Sequence, residues 1–314
     1  MSNIDNRRNN LSDEGDTMSQ PMTQQVFDDK YAAHQEWLND HVDNYNDDRR
    51  LNVDGADLTA IIFPKNANLS CATLSRTNLN GAMLVHANLT DVDLREATLM
   101  DANLTDATIT NAHLLRAHFG HANLAFANFT EAYLGDANLS HANLTNADLT
   151  DAHLPDANLA IANLTNANLT NAECAGAYLT KANLKNANLT DTNLADANLM
   201  GANLQHARLR HTNLVSANLT NAYLGNANLT YADLTDAKLT EAHFPHANLT
   251  HARFANAIVT KANLKYVNLK NANLTGADLT GADLTNADLT GADFAGADIA
   301  NAKISITLTM ARGI

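Results

Sequence analysis

The chain has 314 residues, a formal net charge of −14 at pH 7 and only 5% aromatic residues. The low aromatic content argues against a conventional globular core, and the acidity argues against direct binding to the phosphate backbone of nucleic acids. Two cysteines, Cys71 and Cys174, are too few for a disulfide framework or a cysteine metal site, and we expect neither a metal nor a cofactor.

Residues 1–20 are polar and are predicted to form a disordered tail. After Pro21, apolar and aromatic residues recur at spacings of three and four, which is the period of one helical face. They are Phe27, Tyr31, His34, Leu38, Val42 and Tyr45. The pattern predicts a helix over 22–43, inside a segment 21–50 that we expect to cap the structure that follows.

From about residue 51 onward, a large apolar residue occurs at every fifth position, a period that fits neither a helix nor a strand. The first of these large positions are Val53, Leu58 and Phe63. One residue inserted in 64–66 shifts the frame, which then holds from Leu69 to Ile304, or (304 − 69)/5 + 1 = 48 repeats. Ala usually stands two residues before each large position. A chain that turns a corner after every five residues would point both residues at one central axis.

The residue types at the corners fit this interpretation. The second residue after the large position is Asn, Asp, Gly or His in 34 of the 47 repeats from Cys71 to Asn301. These types tolerate a positive φ best, as the third residue of a type II turn requires. Pro155 and Pro245 stand one place earlier, where such turns accept proline. The sequence therefore predicts a type II turn in each repeat.

The repeat resembles that of the pentapeptide-repeat family, whose motif is A-(D/N)-L-x-x, over about residues 51–308. The resemblance implies an all-β fold, a right-handed quadrilateral parallel β-helix with four repeats in each coil. The 48 repeats give 48/4 = 12 coils, or 12–13 with the opening residues. At a strand spacing of about 4.8 Å the rod would be roughly 58 Å long. The predicted divisions are the tail 1–20, the helical cap 21–50 and the β-helix 51–314.

Eight large residues are predicted to lie in the structural core. They are Leu69, Leu104, Phe119, Phe129, Cys174, Leu184, Phe244 and Phe254. A rod filled in this way is expected to have no pocket, and the sequence carries no phosphate-binding, dinucleotide-binding or zinc-protease motif. We therefore expect no catalytic residues and no enzymatic activity.

Residues twenty apart should stack on one face of such a rod. One face carries a ladder from Asn103 to Asn203, which we interpret as structural. Another carries aromatic residues and arginines, types that are enriched where proteins bind one another. These candidate protein-binding residues are His113, Tyr133, His153 and Arg116, with His211, Tyr231, His251 and Arg253 farther along the same side. Stacked rings can also be ladder pairs without a partner.

Two functions from different classes fit these patterns. The first is a non-enzymatic protein-interaction or scaffold rod with an unidentified protein partner. The alternative, implied by the resemblance, is a DNA mimic that binds DNA gyrase or topoisomerase and protects it from quinolones or toxins. That function requires acids along one face, whereas the densest acidic group is expected to circle the rod. Its members are Asp278, Asp283, Asp288, Asp293 and Asp298.

The C-terminal segment KISITLTMARGI alternates apolar and polar residues, as a strand does. This pattern leaves open whether the segment covers the last coil or pairs end to end with a second copy to form a homodimer. No apolar run reaches 18 residues, and the polar N-terminus lacks the apolar centre of a signal peptide. We therefore expect a cytoplasmic protein with no membrane contact, with export by a different route left open.

Overall fold

The computed structural model describes residues 21–40 and 47–305. The predicted tail and the C-terminal residues 306–314 lie outside the described residues, as does the segment 41–46. Within the described ranges, a single helix precedes a long series of turns joined by parallel β-bridges. No helix in these ranges has the length and apolarity needed to cross a membrane.

The helix, α1, spans Gln24–Asn39. Thr23 is its N-cap, and the hydroxyl accepts a hydrogen bond from the backbone N–H of Val26 at 3.4 Å. Asp40 is the C-cap, and its N–H donates to carbonyls of the last turn. The helix lies within the predicted range of roughly 22–43, but it begins two residues later and ends before Asp40. Val42 and Tyr45, which belonged to the predicted stripe, lie outside the described residues.

The inner face of α1 covers the first coil. Phe27 is fully buried, and its ring meets the edge of Phe63 at 5.1 Å between centroids. The hydroxyl of Tyr31 accepts a hydrogen bond from the N–H of Asn68 at 3.0 Å, and the side-chain oxygen of Gln24 accepts one from the N–H of Ile62 at 2.8 Å. The helix thus supplies apolar cover and also acceptors for backbone groups that an open coil would leave unpaired.

His34 lies at the centre of this contact and is completely buried. Its Nδ1 accepts a hydrogen bond from the N–H of Leu51 at 3.2 Å, and its ring stacks on Trp37 at 5.5 Å. Among the described residues, neither Nε2 of His34 nor Nε1 of Trp37 has a hydrogen-bond partner. Burial lowers the pKa of His34 to about 4; the backbone of Ser70 opposes this shift and the charge of Arg50 adds to it. The imidazole is therefore neutral at pH 7.

Parallel bridges define the coils. They join each residue before a large position to the residue twenty farther on, from Asn68 with Asn88 to Asp283 with Lys303. In the first coil the spacing is 21, as between Asn52 and Thr73, which confirms the one-residue insertion in 64–66. With a turn in every five residues, each complete coil holds twenty residues and four turns.

The turns have the predicted backbone geometry. In every repeat from Cys71 to Asn301, the second residue after the large position has a φ between 54° and 72°. The N–H of the next residue typically donates to the carbonyl of the large position, as Ala122 does to Phe119 at 3.0 Å. Even Ile161, with φ 62°, adopts this left-handed conformation, which is unusual for a β-branched residue. The surrounding repeats therefore impose the turn conformation, because even a residue type that disfavours positive φ adopts it.

Large residues fill the interior. All eight residues predicted for the core are at most 1% exposed. Phe119 and Phe129, two repeats apart, meet edge to face at 6.4 Å. Cys174 occupies a leucine position, and burial raises the pKa of its thiol to about 12, so it stays protonated and packs as an apolar group. In the described last coil, by contrast, Leu289 and Ile304 are only partly buried.

The asparagine ladder is structural, as predicted. Nδ2 of Asn143 donates to Oδ1 of Asn123 at 3.0 Å, and Asn203 donates to Asn183 at 3.2 Å. Within each coil the same oxygens also accept from the backbone N–H two residues on, as Asn143 does from Thr145 at 3.2 Å. These side chains are therefore occupied in holding neighbouring coils and turns together.

Candidate protein-binding surface

The candidate residues form two ring stacks. His113, Tyr133 and His153 stack in order, with centroids 5.4 and 5.1 Å apart and ring planes within 11°. His211, Tyr231 and His251 form an equivalent stack, at 5.1 and 4.8 Å and within 3°. The structure thus brings six of the eight candidates into two rigid groups. Stacked rings lose little further conformational freedom when a partner binds, so their ordering reduces the binding free energy only slightly.

Both stacks lie on one side of the rod, which we call the ring side. We call a set of residues spaced twenty apart a column. The ring side comprises the column that contains Tyr133 and the two corner columns beside it, one containing Tyr231 and the other Arg116. The ring faces cover one another, so ring edges and polar atoms face solvent. Tyr133 and Tyr231 are each 47% exposed.

The two candidate arginines have loose ionic neighbours. Arg116 lies 4.0 Å from Glu96 and 3.8 Å from Asp136, and Arg253 lies 3.3 Å from Asp233. Exposed pairs of this kind contribute about 0–1 kcal/mol to stability. The guanidinium groups can therefore exchange these neighbours for a partner's acceptor at low energetic cost.

A surface cleft of about 400 Å3 lies beside the first stack, although we expected a rod without pockets. It opens between side chains of successive coils and not into the apolar interior. Its lining residues are Asp54, Thr73, Ser75, Arg76, Asp93, Arg95, Glu96 and Leu115.

Arginines set the protonation of this cleft. A hydrogen bond from Arg76 lowers the pKa of Asp54. Burial alone would raise the pKa of Asp93, but hydrogen bonds from Arg95, which lies 2.7 Å away, lower it overall. Asp54 and Asp93 are held ionised in this way, so both are poor proton donors.

The ring side also carries most of the acids in the middle of the rod, which the sequence analysis missed. From Glu131 to Asp236 its three columns hold nine carboxylates and no Lys or Arg. These are Glu131, Asp136, Asp151, Asp156, Glu173, Asp191, Asp196, Asp233 and Asp236. The densest acidic group, near the C-terminus, is therefore not the only acidic feature of the described residues. Finding this side requires three columns to be counted together, because Asn, Gly and Ser interrupt each column separately.

The predicted acidic group near the C-terminus does circle the rod. Asp278 and Asp298 are bridged to each other, and Asp283, Asp288 and Asp293 each belong to a different series of bridges. Two members pair with lysines, Asp283 with Lys265 at 3.3 Å and Asp288 with Lys270 at 3.1 Å. Hydrogen bonds from Thr285 and Thr290 are the largest causes that lower the pKa of Asp283 and Asp288, respectively.

Three further ring pairs were not singled out from the sequence. They are His121 with His141 at 4.7 Å, Tyr223 with His243 at 5.2 Å and His246 with Tyr266 at 4.9 Å. Their spacing of twenty residues was the signal that would have found them. Within the part of the chain that the structure describes, no group of three or more His, Cys, Asp or Glu residues could hold a metal ion.

Several solved structures are similar to this chain in sequence. A search of curated proteins gives no match. Among solved structures, HetL from Nostoc sp. strain PCC 7120, a pentapeptide repeat protein involved in heterocyst differentiation regulation, is 36% identical; the match covers 64% of this chain and 86% of HetL, with a TM-score of 0.34. A pentapeptide repeat protein from the thylakoid lumen of Arabidopsis thaliana is 32% identical over 30% of this chain and 66% of its own, with a TM-score of 0.30. QnrB1, a plasmid-mediated fluoroquinolone resistance protein, is 18% identical; the match covers 54% of this chain and 92% of QnrB1, with a TM-score of 0.37.

The family model described as pentapeptide repeats matches repeatedly along the rod. The matched segments are 65–95, 102–140, 132–171, 157–196, 197–232, 227–265 and 268–305. They span well over half of the chain, and the family fold, a right-handed β-helix, accounts for the parallel coils and regular turns. The chain therefore belongs to the pentapeptide-repeat family.

Proposed function

We propose that the protein is a non-enzymatic interaction rod, quadrilateral in cross-section, whose ring side binds a protein partner. The observation that carries this proposal is the pair of stacks on one side, His113–Tyr133–His153 and His211–Tyr231–His251. Arg116 and Arg253 flank them. The division into a tail 1–20, a cap 21–50 and a rod 51–314 belongs to the same proposal, with the cap and rod serving to present this side.

Several features favour interaction over catalysis. The interior is filled with apolar side chains, and arginines hold Asp54 and Asp93 ionised in the cleft beside the first stack. The stacks instead offer ordered aromatic edges next to arginine, a composition typical of protein interfaces.

The partly exposed Leu289 and Ile304 at the last described coil also support the proposal that two copies meet end to end.

The double variant Tyr133→Ala, Tyr231→Ala tests the ring side. Both side chains are exposed, so we expect unchanged circular dichroism and melting temperature. Affinity capture from native lysate, quantified by mass spectrometry, should show at least one partner reduced tenfold or more, or by about 1.4 kcal/mol.

The matched control is Tyr178→Ala, because Tyr178 is 48% exposed and lies on a different wall. It should retain the partner. Equal recovery of every captured protein by the parent and the double variant would contradict binding through the ring side.

The acids of the ring side favour a second candidate, a DNA mimic that binds gyrase or topoisomerase. Nine carboxylates, with no Lys or Arg between them in their columns, present a line of negative charge over several coils; Arg116 beside Asp136 and Arg253 beside Asp233 bound it at its two ends. A gyrase supercoiling assay tests this candidate: addition of the protein should change supercoiling or its inhibition by a quinolone. Replacement of Asp151, Asp156, Asp191 and Asp196 by Asn should abolish that change. An assay indifferent to the protein would exclude the candidate.

A further inference from the structure

One wall of the rod carries opposite charges at two levels along its length, with neutral side chains between them. We call it the amide wall, and its columns are those that contain Asn186, Asn188, Thr190 and Asp191. The last of these is the corner column that it shares with the ring side. Asp148 and Asp151 form the acidic level. Arg208 and Arg210 form the basic level, which lies (208 − 148)/20 = 3 coils farther on.

The two arginines of the amide wall have no ionic partner within residues 51–305. The other arginines of that range each lie within 4.0 Å of a carboxylate, and they are Arg76, Arg95, Arg116 and Arg253. Arg208 and Arg210 have no such neighbour there, and both are exposed. Their guanidinium groups are therefore available to a carboxylate of another molecule.

The neutral side chains between the two levels are hydrogen-bonded within the wall. Nδ2 of Asn188 donates to Oδ1 of Asn168 at 3.2 Å and to the hydroxyl of Thr170 at 2.8 Å. At the acidic level, Oδ1 of Asp148 accepts from the N–H of Thr150 at 3.0 Å, whereas Oδ2 has no hydrogen bond within the described residues. Another surface can therefore cover the amides without leaving them unpaired, and the charges remain to make the contact.

The amide wall is complementary to a second copy of itself that runs in the opposite direction. When two such walls face each other antiparallel, each column lies opposite the same column of the second copy. In the register that brings Arg208 opposite Asp148, His211 lies opposite Asp151, and Arg210 lies between these two carboxylates. Two-fold symmetry forms each of these contacts twice.

Other arrangements of two amide walls bring like charges together. A parallel two-fold pair would place Arg208 at the same level as its own copy, and Asp148 likewise. A shift of one coil in either direction from the antiparallel register would place Asp191 opposite a carboxylate, either Asp151 or the second Asp191. In the register above it faces the neutral Asn171. Charge therefore selects both the direction and the register.

The same register gives the fullest overlap of the two rods. Asn68, the first member of the Asn188 column in the bridge series, faces Asp288, the last. The contact thus runs over (288 − 68)/20 = 11 coils, or about 53 Å at about 4.8 Å per coil. Because each column faces its own copy, both ring sides turn in the same direction and lie next to each other.

We propose that the amide wall is the interface of an antiparallel homodimer, in which Arg208 and Arg210 of each copy bind Asp148 and Asp151 of the other. Charge complementarity between the two levels carries this proposal. It goes beyond the proposed function, because it concerns another wall and a second copy of the chain as partner. It also differs from an end-to-end dimer, because the last described coil is not its principal contact.

Sedimentation velocity of the full-length protein over a wide range of concentrations tests the proposal. The parent should form a dimer, and higher salt should weaken it several-fold because its paired charges are near the surface. Arg208→Glu with Arg210→Glu should weaken it at least tenfold, since like charges then face each other. Asp148→Lys with Asp151→Lys should have the same effect.

An equimolar mixture of these two double variants gives the most specific result. Each variant alone brings like charges together, but in a mixed pair an acid faces a base at both levels. The mixture should therefore form heterodimers with an affinity close to that of the parent dimer. Only an antiparallel pairing of the two levels predicts this rescue.

Lys238→Glu with Lys261→Glu is the matched control, because it makes the same change of charge at exposed residues outside the amide wall. It should form dimers as the parent does. The fold accepts lysine at the positions to be changed: Lys181 and Lys261 occupy corners equivalent to Asp151, with φ of 57° and 56°, and Lys238 occupies a position equivalent to Asp148. Unchanged circular dichroism should confirm that each variant is folded.

A parent that stays monomeric at every concentration would overturn the proposal. A dimer that persists unchanged in both reversed variants would also overturn it, as contact through the rod ends predicts. Loss of the dimer without rescue in the mixture would refute the antiparallel register. If the parent is monomeric and an acidic lysate protein is lost only by Arg208→Glu with Arg210→Glu, the arginines bind a different partner and the homodimer is wrong.

Discussion

Replacement of Leu184 by Asp is expected to unfold much of the rod. Leu184 is completely buried, and its backbone N–H donates to Asn203 in the next coil at 2.7 Å. The change removes about 1.5–3 kcal/mol of apolar burial. It also leaves an unpaired carboxyl group in the core, which costs several kcal/mol more. The sum approaches the whole stability of an ordinary domain, about 5–15 kcal/mol.

The damage should extend beyond one coil, because each coil depends on its neighbours for cover and for backbone hydrogen bonds. Circular dichroism and size-exclusion chromatography should show loss of β structure and of compactness. Lys185→Asp supplies the control, since it introduces the same side chain at the adjacent exposed position. A Leu184→Asp protein with the parent's spectrum and melting temperature would refute the all-or-none stack.

Acidification is expected to loosen the cap through His34. Its pKa is about 4 in the folded protein, against an ordinary value of 6.5. Above pH 6.5 the imidazole is neutral in both states, and its contribution to stability is fully present. As the pH falls from 6.5 to 4, the unfolded state takes up a proton that the folded state refuses, so stability falls. The loss levels off below pH 4 at about 3 kcal/mol, because each unit of pKa shift is worth about 1.4 kcal/mol.

Urea unfolding at pH 7 and pH 5, followed by fluorescence of the single tryptophan, measures this effect. Trp37 stacks on His34, so it reports the cap directly. The parent should lose about 2 kcal/mol more between these pH values than His34→Gln, whose side chain does not titrate. His206→Gln, at an exposed corner, should behave as the parent does. Equal pH dependence in all three proteins would show that His34 does not couple the cap to pH.

Most of the fold could be predicted because each repeat fixes its own geometry. A large residue, an alanine and a corner residue tolerant of positive φ recur in phase from Leu69 to Ile304, so local preference and burial agree at each step. The end of α1 could not be predicted in this way. The apolar stripe continues past Asp40 in the sequence, whereas the backbone ends the helix there with a cap.

The ring stacks followed from a spacing of twenty, which places His113 and Tyr133 in neighbouring coils. The acidic side and the arginine-lined cleft did not follow. The acids are distributed over three columns, and their position on one side of the rod becomes visible only when successive coils are compared. The cleft depends on how Arg76 and Arg95 fold back onto carboxylates, and repeat spacing does not encode side-chain conformation.

The constant coil length makes angular position a function of residue count. Adding or deleting one five-residue repeat between Pro155 and Tyr223 would keep each leucine in the interior, yet rotate everything beyond it by a quarter of a coil. A change whose length is not a multiple of five must be absorbed within one coil, as the one-residue insertion in 64–66 is in the first coil. Gain or loss of whole repeats can therefore rotate one surface relative to another in steps of a quarter coil, without changing the residues of either surface.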